Sequence, residues 1–88
     1  MSKDNFVGMC PPLAWFANEM QSKLDANTHK GGWHNCTQQW LLNRLRQETK
    51  ELERAIAKDK NVVQEAADVA NFAMMIADNF ANPEPPER

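Results

Sequence analysis

The stretch VVQEAADVANF, residues 62–72, decides how the rest of the chain is read. Val62, Val69 and Phe72 recur at helical spacing, and at about 100° per residue Glu65 falls between them. Asp68 follows Glu65 by three positions, which puts both carboxylates on nearly the same side of a helix. An acid set into an apolar stripe loses solvation, so it must find a proton, a cationic side chain or a metal ion.

Outward from this stretch, the rhythm continues through Ala73, Ile76 and Phe80 and predicts a helix that ends near Phe80. Asn61, with Gln64 three residues on, has the form of a capping box at its start. Upstream, QQWLLNRLRQETKELERAIA (38–57) places Leu41, Leu45, Leu52 and Ile56 on one side, with Thr37 as its N-cap. Pro11 and Pro12 can open a helix but not sit inside one, and Leu13, Phe16, Ala17, Met20 and Leu24 then predict a first helix over about 12–25. Trp40, Met74 and Met75 read as core. Asn27, Gly31, Gly32 and Asn35 mark a turn-rich loop with Trp33 in its middle. Nothing alternates with the period of a strand, so the fold class is all-α: a single domain over 1–80 and a disordered Pro/Glu tail over 81–88.

An 88-residue chain sits at the small end of what folds alone, where oligomerisation commonly supplements one marginal core. Its formal charge of -2 offers no electrostatic case for binding a nucleic-acid polymer or an anionic membrane. Residues 1–20 lack the pattern of a secretion signal, and no apolar run approaches the roughly 18 residues of a membrane span, so the expected location is cytoplasmic. Cys10 and Cys36 are too few for a disulfide scaffold and read as reduced thiols. With His29 and His34 they lack the clustering of a zinc site.

Helix 2 carries its own acidic pair, Glu48 and Glu51, again three apart, and Glu48 lies beside Leu41, Leu45 and Leu52. A short connection makes helices 2 and 3 antiparallel neighbours, which brings Glu48 and Glu51 opposite Glu65 and Asp68. Four converging carboxylates repel one another, and an all-oxygen ligand set suits a hard divalent ion, Mg²⁺ or Mn²⁺, that also binds phosphates. Arg44, Arg46 and Lys50 are the cations that could neutralise the cluster instead.

The ordered motifs Glu48-Thr49-Lys50-Glu51 and Glu65-Ala66-Ala67-Asp68, with the KGGW lead-in and ADVANF, resemble the MazG-like all-α nucleoside triphosphate pyrophosphohydrolases over roughly residues 29–78. The resemblance implies cleavage of a nucleoside triphosphate between the α and β phosphates, with Glu48, Glu51, Glu65 and Asp68 as Mg²⁺ ligands. It implies that Glu48 or Glu51 orients the attacking water, and that Asn71 contacts sugar or base. Lys30 and Trp33 are suited to holding a phosphate and stacking on a base, although Trp33 can equally cap the bundle. Many relatives carry a further glutamate where this chain has Gln47, which bears on the number of metal ions held.

Three short helices cannot enclose both a core and a nucleotide, so the expected assembly is a homodimer with a shared four-helix core, or a homotetramer, as in that family. The alternative function is a non-catalytic helical dimer that uses the same stripes to bind a protein partner.

Overall fold

The computed structural model describes residues 8–26 and 32–83. These form three helices, α1 (Pro11–Ala26), α2 (Gln38–Lys58) and α3 (Val62–Ala81), and no strand occurs among the described residues. Each begins where the sequence supplies a start signal. Pro11 and Pro12 open α1, whose first turn is anchored by Leu13 and Ala14 amides donating to the Cys10 carbonyl at 3.1 Å. Thr37 caps α2, with its Oγ1 accepting from the Trp40 amide at 3.0 Å. Both cysteines are free thiols, and no helix among the described residues is long and apolar enough to cross a membrane. Lys30, His29 and residues 84–88 lie outside the described residues.

Helix α3 is the shared element, packed against both α1 and α2. Side-chain contacts fix the directions. Gln38 reaches the Ile76 carbonyl, Arg44 lies over Phe72 and Glu48 meets Asp68, so position rises along α2 as it falls along α3. Met20 and Lys23 of α1 likewise meet Asn71 and Asp68 of α3, again in antiparallel order.

The α2–α3 turn has three residues, Asp59, Lys60 and Asn61. The Asp59 amide donates to the Ile56 carbonyl at 3.2 Å and the Lys60 amide to the Ala55 carbonyl at 3.0 Å, the double bond pattern of a Schellman ending. Asp59 and Asn61 both have positive φ, 57° and 62°. The expected capping box at Asn61 is therefore absent: a left-handed residue does not direct its side chain over the first turn, and Asn61 makes no side-chain cap bond.

The buried apolar residues are few, Leu41, Ala55 and Ala67, with Leu41 fully enclosed. Several expected core positions are on the surface. Trp40 is 50% exposed, Ile56 60% and Phe80 84%, because α1 and α2 each cover only part of the length of α3 and of each other. Met74 and Met75 are half-buried.

Asp59 holds a left-handed backbone that suits glycine, and it places a negative charge at a helix C-terminus. Asp59→Gly relieves both and is expected to stabilise the fold by about 1 kcal/mol, against the unfolded-state entropy that glycine adds. Urea denaturation at neutral pH is the check, and an unchanged or lower midpoint contradicts it.

Candidate functional site

The register of α2 against α3 brings three carboxylates together. Glu48, Glu65 and Asp68 each offer an oxygen, and these oxygens lie within 4.8 Å of one another, all on half-buried side chains. Glu65 and Asp68 come from the first two turns of α3, and Glu48 from the facing turn of α2.

Glu51 stands apart from this group. It is exposed, and Arg54 donates to its carboxylate at 2.7 Å. Three residues after Glu48 the helix has turned far enough to carry Glu51 to the flank, where a cation on its own helix captures it. The ExxE pair thus contributes one carboxylate to the group, although the Glu51 charge is still felt at Glu65.

The other two clustered acids have cations beside them. Arg44 Nη2 donates to Glu48 Oε2 at 2.8 Å, and its other terminal nitrogen donates to Gln47. Lys23, from α1, approaches Asp68 to 3.5 Å. Arg44 was the expected neutraliser, but Arg46 and Lys50 are exposed and make no ion pair among the described residues. Glu65 likewise has no ion pair among them. Its burial, followed by the charges of Asp68 and Glu48, pushes the Glu65 carboxyl up from the usual 4.5; Lys23 pulls the other way and Glu51 adds a smaller push.

Glu48 and Asp68 of the cluster line a cleft of about 770 Å³ between the end of α1, the loop before α2, and the facing parts of α2 and α3, while Glu65 lines a smaller pocket with Glu51 and Arg54. Gln21, Lys23, Asp25, Arg44, Glu48 and Asp68 give the cleft its polar wall, and Trp33 and Trp40 its aromatic one. Trp33 is held at the far end of α3: its indole donates to Asp78 Oδ2 at 3.0 Å and its carbonyl accepts from Asn79 at 3.1 Å. It therefore closes the end of the bundle and lines the cleft at once. The Trp33 bond, then one from Asn82 and the nearby His34, hold the Asp78 carboxyl below its usual 3.8. The stability drawn from this knot is present above that pH and fades as pH falls through the lowered value.

Asn71 is buried at the cleft wall. It is 3% exposed, its Nδ2 donates to the Met20 carbonyl at 3.0 Å, and it ties α1 to α3 at the cleft wall. Its buried Oδ1 has no hydrogen-bond partner among the described residues. Lys23 and Trp40 joined the site without having been read as site residues. Trp40 has the same apolar spacing as a core residue, and Lys23 is brought in by a tertiary contact 45 positions away in sequence from Asp68.

This donor set fits a hard divalent cation: three carboxylate oxygens on two helices, one of them from Glu65, which makes no ion pair among the described residues. Compared with known protein families, curated proteins and solved structures, the chain matches none of them.

The folded chain binds a proton at Glu65 more readily than the unfolded chain does, so the ionised form weakens the metal-free fold at neutral pH. Glu65→Gln is expected to raise the melting temperature of the metal-free protein at pH 7, and the gain should shrink to nothing as pH falls below 4.5. Circular dichroism melts across that range decide it; a large loss of stability at pH 7 would show Glu65 to be a needed structural partner.

Proposed function

We propose that the protein is a Mg²⁺-dependent nucleoside triphosphate pyrophosphohydrolase that cleaves its substrate between the α and β phosphates. The observation that carries this reading is the meeting of Glu48, Glu65 and Asp68 within 4.8 Å at the edge of a nucleotide-sized cleft with tryptophan on its wall. A bare acidic cluster would suit any divalent ion. The cleft adds what a nucleotide needs, an aromatic surface for the base and cationic side chains for phosphates.

When bound, a divalent cation would neutralise phosphate charge and lower the pKa of a water molecule. Glu48, Glu65 and Asp68 are its ligands, with Mn²⁺ as an alternative occupant. Of Glu48 and Glu51, the two candidates to orient the water and accept its proton, Glu51 is the one outside the ligand group, and it would exchange its pairing with Arg54 for the water. Trp33 and Trp40 present indole faces to the base, and the Asp78 bond keeps Trp33 from rotating away.

The functional unit is a homodimer or homotetramer. Support for this lies in the imbalance between the small core and the apolar side chains left at the surface, Leu13, Trp15, Ile56 and Phe80 among them. The same imbalance would suit a non-catalytic dimer, and the cleft chemistry favours the enzyme. Sedimentation should give at least twice the 10.1 kDa chain mass.

Incubation with a panel of nucleoside triphosphates and Mg²⁺ should release pyrophosphate and the monophosphate. Glu48→Gln, Glu65→Gln and Asp68→Asn should each lose activity by at least about 10²-fold, beyond what loss of an outer-shell partner costs, and abolish the thermal shift on adding Mg²⁺ with nucleotide. Glu51→Gln should keep that shift and lose turnover, because it removes the water's partner and not a ligand. No pyrophosphate from any substrate, with no thermal shift in the parent protein, rejects the enzyme.

A further inference from the structure

The outer acids of the cluster are already engaged by cations of the protein. Arg44 donates to Glu48 at 2.8 Å from within α2, and Lys23 stands 3.5 Å from Asp68, reaching across from α1. A divalent ion entering the space shared by Glu48, Glu65 and Asp68 meets both positive charges. The two side chains are therefore competitors of the metal.

Arg44 has a second contact that would keep it in the cleft. The Arg44 guanidinium lies 4.9 Å from the centroid of the Phe72 ring, a contact that does not depend on Glu48. Once parted from Glu48 it remains in the cleft, which it lines together with Lys23 and the two tryptophans. Its planar fork matches two phosphate oxygens, and the Lys23 ammonium serves as a point charge beside it.

Resting on the reading of this site as one for a metal ion and a triphosphate, we infer that Arg44 and Lys23 are resident counter-ions that the divalent ion displaces from Glu48 and Asp68 and that then grip the phosphates. The metal releases the groups that hold the triphosphate, and the triphosphate removes the groups that oppose the metal. Each ligand consequently tightens the other, by the same factor in both directions.

The test begins with Mn²⁺ alone, titrated by calorimetry into the parent protein, Arg44→Gln and Lys23→Gln. Both variants should bind it more tightly, by roughly two- to fivefold, the effect of losing one partly exposed ion pair as a competitor. A non-hydrolysable α,β-methylene nucleoside triphosphate at saturating Mn²⁺ should bind both variants at least about fivefold more weakly. Arg44→Lys keeps the charge and loses the fork, so Mn²⁺ affinity should stay near that of the parent while the analogue weakens; this variant carries the test if Arg44→Gln does not fold. Unchanged or weaker Mn²⁺ binding in folded Arg44→Gln or Lys23→Gln overturns the exchange, because side chains that only orient Glu48 and Asp68 would give that result. So would a parent protein in which Mn²⁺ and the analogue bind independently. A parent that binds no Mn²⁺ under any condition defeats the reading of the site as well, which sets that failure apart from the others.

Discussion

The register of α2 against α3 is the constraint from which the rest follows. A three-residue turn with two left-handed positions leaves almost no freedom in where α3 starts relative to the end of α2. Given that start, the antiparallel pairing puts Gln38 at Ile76, Arg44 at Phe72 and Glu48 at Asp68. A shift of one residue would rotate Glu65 and Asp68 by about 100° and separate them from Glu48. The acidic cluster is thus a consequence of turn geometry as much as of the acids themselves.

Such a cluster works against the fold that creates it. Three half-buried carboxylates within 4.8 Å repel, and the ion pairs with Arg44 and Lys23 go to Glu48 and Asp68. Burial first, and then the charges of Asp68 and Glu48, raise the proton affinity of Glu65, with Lys23 opposing them. A sequence selected for stability alone would place glutamine or an aliphatic residue at that position. Charge retained in such a place accords with the proposed metal site, where the ligand would supply what the fold lacks.

Much of this was legible in the sequence, and the misses have a common origin. Helix number, type and limits followed from local signals: Pro11 and Thr37 opened their helices, and the apolar spacing of α2 and α3 carried them to their ends. The convergence of Glu48, Glu65 and Asp68 followed from spacing plus a short connection. What spacing could not supply is how much of each face is covered. Phe80 lies on a stripe that periodicity assigns to a core, yet the neighbouring helices do not extend over it, and Trp40 stands on the wall of the open cleft. Asn61 met the letter pattern of a cap while its backbone was committed to the turn. Glu51 shares a motif with Glu48, but motif membership does not register the turn of the helix toward Arg54.

Asn71 shows how closely packing and site are joined. At 3% exposure, a side chain between α1 and α3 would ordinarily be aliphatic, and an unpartnered buried Oδ1 costs about 1–3 kcal/mol. An aliphatic residue would lose the bond to the Met20 carbonyl, which fixes α1 against α3 one turn before Lys23. That tie places Lys23 beside Asp68, and so sets which charges face the cluster. The polar residue in the seam is therefore explained less by stability than by position. It holds α1 at the point where Lys23 can act on the cluster, and it lines the cleft there.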